Sequence, residues 1–281
     1  MIKQFLWLFI ALLCACGDPE QTAVPSAPPA RIVSLAPNIT ETLYDLGLEE
    51  RLAGASRFGT SDTDPGLAIV GDFMNVNYEA IVALKPDLVI LEKSSDTQKA
   101  RLQTLGIDYL ETGSLTIDEI LESVQLIGEK CGAREQASEL IAQMNKQMND
   151  ARNQPAHRPR TLIAFSDFSN QSKVDQVYAF GSGCIHSELL AIAGGDNVVK
   201  DARPSVTLSS EAVIRLNPEL IIELSAGGPT NHWNNLQSID AVRNNNIHVL
   251  TGTYTTIPSP THLMHTLEDF SEIIKRNGSG E

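Results

Sequence analysis

A twelve-residue segment, Glu79-Ala-Ile-Val-Ala-Leu-Lys-Pro-Asp-Leu-Val-Ile90, recurs 132 residues later as Glu211-Ala-Val-Ile-Arg-Leu-Asn-Pro-Glu-Leu-Ile-Ile222, with six of the twelve positions identical. The first copy reads as a short helix over 79–84, a break at Lys85-Pro86, and a continuous apolar strand over 87–91 of the kind buried on both faces of a parallel sheet. A chain that contains this unit twice in 281 residues is constrained to two α/β lobes of similar plan. A second pair of segments agrees. Ile32-Val33-Ser34-Leu35 reads as a strand, Ala36-Pro37-Asn38 as a turn, and 40–46 as a helix stopped by Gly47. Val177-Tyr178-Ala179-Phe180, the turn Gly181-Ser182-Gly183 and a helix over 187–193 ended by Gly194-Gly195 mirror it in order and place. Between the halves, 117–130 and 135–153 show helical periodicity and no strand signal, with Ala137, Leu140, Ile141, Met144 and Met148 on one face. The second of these helices spans about 28 Å, enough to cross from one lobe to the other as a stiff strut.

The beginning of the chain reads as an export leader. Lys3 precedes a nine-residue apolar run from Phe5 to Leu13, too short for the roughly 20 residues of a membrane helix. Leu13, Ala15 and Cys16 then resemble the bacterial lipobox, which predicts lipidation of Cys16. The stretch 17–30 has four prolines and little to bury, and reads as a flexible tether. With 35 acidic against 21 basic residues the net charge is −14, which argues against nucleic acid as a partner. Beyond the leader only Cys131 and Cys184 remain; they are able to pair in an oxidising compartment, but their spacing does not require it.

Chemistry-bearing motifs are sparse. Gly181-Ser-Gly-Cys-Ile-His186 stands where a dinucleotide fingerprint would, but its sixth position is His, and it reads as a glycine turn into a helix. There is no phosphate loop, no GxSxG elbow and no HExxH. His262 and His265 lie three apart on a predicted helix after Pro258 and Pro260, a spacing that suits metal ligation, but no third ligand accompanies them. They carry the reading of a bare-metal binder; an exported two-lobed enzyme, with His186, His262 or Asp167 as acid–base groups, is the other alternative. Phe58, Phe73, Tyr178 and Tyr254 fall in or beside loops at strand ends, where open α/β sheets place their ligand crevice, and suit walls for a large flat ligand.

The motifs Ser34-Leu-Ala-Pro-Asn-Ile-Thr-Glu-Thr-Leu43, the Glu79 segment, Gly194-Gly-Asp-Asn-Val-Val199 and Ser209-Ser-Glu211 occur in that order. Together, over residues 31 to 276, they resemble the substrate-binding proteins of ABC importers for cobalamin, ferric siderophores and haem, the opening motif being most similar to the cobalamin-binding branch. The resemblance implies an α/β fold of two Rossmann-like lobes joined by a long rigid helix, with the ligand cleft between them. The expected division is a signal peptide at 1–16, the tether at 17–30, an N-terminal lobe at 31–115, a helical connection at 116–155 and a C-terminal lobe at 156–281. It implies a periplasmic, lipid-anchored, monomeric receptor rather than an enzyme, with no cofactor or metal of its own. Such a receptor captures a corrinoid, or alternatively a ferric siderophore or haem, and delivers it to an inner-membrane permease dimer with its ATPase. By the same resemblance Glu79 and Glu211 dock onto permease arginines, and Phe73, six residues before Glu79, joins Phe58, Tyr178 and Arg203 at the ligand, to which the loop reading adds Tyr254. Where tryptophans often line that cleft this chain has Phe73, Ser205 and Val206.

Overall fold

The computed structural model describes residues 27–58, 64, 66–72, 75–93, 95–153, 158–166, 176–225, 232–252 and 258–279. Five parallel strands, β1 (Ile32–Ser34), β2 (Leu52–Ala55), β3 (Ala68–Ile69), β4 (Leu88–Glu92) and β5 (Tyr109–Thr112), form one sheet in the order β3-β2-β1-β4-β5. A second sheet has the order β11-β10-β6-β7-β9. Its strands are β6 (Arg160–Ser166), β7 (Gln176–Phe180), β9 (Ser205–Ser209), β10 (Leu220–Ser225) and β11 (Ile247–Thr251), and β8 (Asp196–Asn197) pairs with the start of β6. The mate of β1 is therefore β6, not the strand at 177–180 that the sequence puts in that place. β6 pairs in parallel with β10 as β1 does with β4, whereas β7 is antiparallel to both its neighbours.

The repeat extends to its hydrogen bonds. Helices α2 (Tyr78–Leu84) and α7 (Ser210–Leu216) each start on a side-chain cap: Asn77 accepts the Ala80 N–H at 3.0 Å and Ser209 accepts that of Ala212 at 3.3 Å. Each ends on a residue in the left-handed region, Lys85 at φ 49° and Asn217 at φ 41°, followed by a proline that cannot continue the helix. Arg31 Nε donates to the Leu84 carbonyl at 2.8 Å, and the Arg160 guanidinium donates to that of Leu216. Asp87 accepts the Arg31 N–H at 2.9 Å while Glu219 accepts that of Arg160 at 3.0 Å. One arginine thus closes the end of the helix while its own backbone is held by the acid that follows the proline. Ala30, the last residue of the expected tether, also donates its N–H to Asp87.

Strand residues alternate between two cores. Leu88 and Ile90 of β4, with Ile163, Leu220 and Ile222 of the second sheet, enter one continuous apolar cluster, whereas Val89, Leu91, Leu162 and Ile221 point away to outer clusters. The shared cluster is filled by α1 (Pro37–Asp45), α4 (Ile117–Cys131), α5 (Arg134–Arg152), α6 (Ile185–Ala193) and α9 (Pro260–Ser279). α5 lies within one residue of the expected helix at each end, but it is no solitary strut. Gly132, at φ 71°, turns α4 tightly into α5, and the two pack so closely that a Cβ on Gly128 would lie 2.4 Å from that of Ala137. α9 returns across the molecule to pack on α1, α5 and α6. The outer faces are covered by α2 and α3 (Asp96–Thr104) on the first sheet and by α7, α8 (Asp240–Arg243) and the buried Trp233 on the second.

Two carboxylates tie the helical layer across the halves. Asp45, at the end of α1, accepts the Thr261 hydroxyl at 2.6 Å and the Thr261 N–H at 3.1 Å, in the first turn of α9. Glu188 of α6 accepts the Ile117 N–H at 2.8 Å, in the first turn of α4. Both satisfy donors that a helix start leaves open, and both meet the positive end of the helix dipole. Burial pushes both carboxyl groups above the usual range, and these hydrogen bonds oppose that push. Asp45→Ala is expected to cost about 1 kcal/mol, lowering Tm by about 2–4 °C in thermal unfolding. An unchanged Tm would mean that apolar packing alone holds α1 to α9.

Candidate functional site

In the first sheet the chain runs from β1 to β2 and β3 on one side, then crosses to β4 and β5 on the other. The reversal leaves a crevice at the carboxyl ends of β1 and β4, the place where open α/β sheets bind ligands. A pocket of about 300 Å³ lies there, lined by the turn into α1 (Ala36, Pro37, Asn38), the end of β4 (Glu92, Lys93) and the residues after β5 (Gly113, Ser114, Leu115). The turn is stiff: Ser34 donates its hydroxyl to the Ala36 carbonyl at 2.9 Å and accepts that of Thr40 at 2.9 Å, and Pro37 opens the helix. Glu92 is the central group. Its Oε1 accepts Asn38 Nδ2 at 2.7 Å and Ser114 Oγ at 3.0 Å, and its Oε2 has no hydrogen-bond partner among the described residues. Burial raises its pKa, against the lowering by these two donors. Lys93 is turned onto Glu122 at 2.9 Å, so the described residues lining the pocket offer acceptors and no unpaired cation. Leu115, 57% exposed, stands beside Ile117, whose N–H is held by Glu188 of the other half.

Tyr178 stands on the second sheet. Val177 and Ala179 of β7 enter the outer core and Phe180 packs on the shared one, so Tyr178 stands on the inward face; it is 52% exposed. Phe58 follows β2 at the carboxyl edge of the first sheet, 61% exposed and held at φ 77°, a region costly for a bulky side chain. The two aromatics stand on opposite sheets. Arg203 lies on the loop before β9, its guanidinium bound to Asp201 at 2.6 and 3.0 Å, which holds the Asp201 carboxyl down to about 2. The same loop explains Gly181 and Gly183: a Cβ on either would lie 2.0 or 1.9 Å from the Arg203 or Ala202 carbonyl oxygen. These glycines serve close backbone approach.

Glu79 and Glu211 are both exposed, in the first turns of α2 and α7, and Ser209 with a backbone N–H lowers the Glu211 carboxyl pKa. Cys131 and Cys184 are separate buried thiols; burial pushes Cys131 up to about 11 and raises Cys184 as well. His262 and His265 lie on α9, and among the described residues no three His, Cys, Asp or Glu side chains converge as a metal site. His186 is buried with its ring 4.3 Å from that of Phe180. Cys16, Phe73, Asp167 and Tyr254 lie outside the described residues. Sequence reasoning missed Glu92, Asn38 and Ser114, although a charge closing the apolar run 88–91 was a visible signal.

The profile of the periplasmic binding protein family matches residues 32–254. The ABC transporter substrate-binding lipoprotein YvrC of Bacillus subtilis, described as uncharacterized, is 32% identical over 206 residues. The match covers 69% of this chain and 63% of YvrC, a little under two thirds of that relative's length. A vitamin B12-binding protein of Yersinia pestis is 27% identical over 203 residues, 71% of each chain. Among solved structures, the periplasmic vitamin B12 binding protein BtuF of Vibrio cholerae superimposes with a TM-score of 0.76 at 24% identity, over 89% of this chain and 98% of that one. The periplasmic haem-binding protein RhuT of Roseiflexus superimposes with a TM-score of 0.71 at 22% identity, over 88% and 99%. These likenesses share the two-lobed fold, and their names are those of binding proteins, not enzymes. The family profile spans 223 of the 281 residues (32 through 254), and the chain belongs to the periplasmic binding protein family.

Proposed function

We propose that this chain is the substrate-binding component of an ABC importer and that it captures a corrinoid in the crevice between the two sheets. The observation that carries the ligand choice is the pocket around Glu92. A corrinoid has primary amides along its rim, and each amide N–H₂ suits the open Oε2 of Glu92 while its carbonyl suits the second Nδ2 hydrogen of Asn38. The propionates of haem would meet the Glu92 carboxylate, and among the described residues lining this pocket no cation is left unpaired to balance them. Phe58 and Tyr178 supply apolar walls from opposite sheets, and Arg203, Phe73 and Tyr254 complete the proposed set. The shared apolar layer limits lobe closure, so capture relies on a largely preformed cleft and a small ordering cost. Similarity to proteins named as vitamin B12-binding supports the reading.

Delivery requires docking. Glu79 and Glu211 are two exposed carboxylates at matching positions, fit to make charge-assisted pairs with permease arginines and to set the docking register. Lipidation of Cys16 would keep the receptor at the membrane surface in the periplasm, as the lipoprotein name of the Bacillus subtilis relative supports.

Calorimetric titration with cyanocobalamin, ferrichrome and hemin in parallel is expected to give one-to-one sub-micromolar binding of cyanocobalamin. Phe58→Ala, Tyr178→Ala and Glu92→Ala should each weaken it about tenfold, about 1.4 kcal/mol. Preference of the wild type for hemin or ferrichrome would keep the importer reading and discard the corrinoid. Glu79→Ala with Glu211→Ala is expected to abolish uptake of labelled cyanocobalamin by cells while leaving its Kd unchanged; surviving uptake removes the docking role. Cys16→Ser should move the protein from the membrane fraction to the soluble one on fractionation, and a distribution like the wild type's would end the lipid-anchor proposal.

A further inference from the structure

Five large apolar side chains stand exposed among the described residues. Leu115 lines the Glu92 pocket, and Phe58 and Tyr178 belong to the proposed ligand set. The other two, Val82 at 48% and Ile214 at 39%, are repeat mates, 132 positions apart, and each lies three residues after the mated acids Glu79 and Glu211. On a helix that spacing makes Val82 a surface neighbour of Glu79, and Ile214 of Glu211. The rotation of both helices is the same: 79–84 and 211–216 each run exposed, half-buried, buried, exposed, exposed, half-buried, with Ile81 and Val213 as the buried members. Neither Val82 nor Ile214 contributes to a core. The exposed mates beside them, Ala83 and Arg215, have diverged in class, whereas Val82 and Ile214 are both branched and apolar.

A carboxylate and a branched apolar group one turn apart, presented twice on mated helices, define a footprint with two equal halves. We propose that Val82 and Ile214 are apolar docking anchors, each acting with its neighbouring Glu, for a partner that offers the same recognition surface twice. That partner is a pair of equivalent permease subunits, each with a cation for the carboxylate and a shallow apolar pocket one helical turn away. The inference rests on the importer reading and adds the second half of each contact. The chain's net charge of −14 favours approach to a cationic surface, and a buried apolar anchor beside a charge pair slows release. Two like halves on one chain match a two-fold partner, because each half meets the same patch on a different subunit.

The test places a photo-crosslinking amino acid at position 82 or 214 of the full chain in its own cells, with exposed Gln125 as control position. Both sites are expected to label one and the same integral-membrane subunit, identified by mass spectrometry, and position 125 is not. Labelling from only one site, of two different proteins, or of a second copy of this chain overturns the proposal. In parallel, Val82→Asp with Ile214→Asp should reduce cyanocobalamin uptake at least tenfold with Kd within twofold of wild type and an unchanged Tm. If that pair transports normally while the Glu79/Glu211 pair does not, the apolar anchors fail and the importer reading stands. If neither pair affects uptake and no membrane subunit is labelled, both fail.

Discussion

The continuous apolar layer between the two sheets is the constraint on which the rest of the molecule depends. Side chains from β1 and β4 on one side and β6 and β10 on the other enter one cluster with the same five helices, so neither half closes its inner core alone. Fully burying one such Leu, Ile or Phe is worth roughly 1.5–3 kcal/mol, and interiors packed at crystal-like density shift only in small steps. Asp45 and Glu188 sit at the rim of this layer and pin helix starts from one half with carboxylates from the other. The apolar layer supplies the stabilisation, and the carboxylates set the register in which the helices meet.

The crevice follows from that arrangement. Once the helices fill the space between the sheets, the carboxyl edges of the strands are left open; the Glu92 pocket lies at the edge of the first sheet, and Tyr178 stands exposed on the second. A half-buried carboxylate with one oxygen engaged twice and the other open is a costly feature for a core. In a crevice it is a fixed acceptor whose direction is set by Asn38 and Ser114 before any ligand arrives. Phe58 has the same character, with a strained backbone and an exposed ring.

The repeat links the fold to the proposed docking. Its two copies share caps, left-handed helix ends, an arginine on the last carbonyl and an acid on that arginine's backbone, so α2 and α7 are seated alike on their sheets. Equal seating turns mated residues outward in equal ways. Surface features duplicated without a core role, Glu79 with Val82 and Glu211 with Ile214, are the ones a two-fold partner can use.

Much of this was written locally and legible in the sequence. α2, β4, α5 and the doubled plan follow from apolar periodicity and from Pro and Gly punctuation, because helix period, strand burial and chain breaks are decided within a dozen neighbouring residues. The pairing of β1 with a counterpart was not: 177–180 looks like the mate, yet it is an antiparallel insertion, and 160–166, not 177–180, pairs in parallel with β10 as β1 does with β4. In the sequence nothing beside Glu92, Asp45 or Glu188 marks the partner of each. What each accepts, Asn38 and Ser114, Thr261, or Ile117, lies 22 to 216 residues away, and only the tertiary fold brings donor and acceptor together. The sequence by itself thus determined the elements and their twofold plan, through short-range sterics and periodicity, while the tertiary structure alone decided the crevice and its polar lining, because those depend on which distant backbone and side-chain groups the shared core forces into contact.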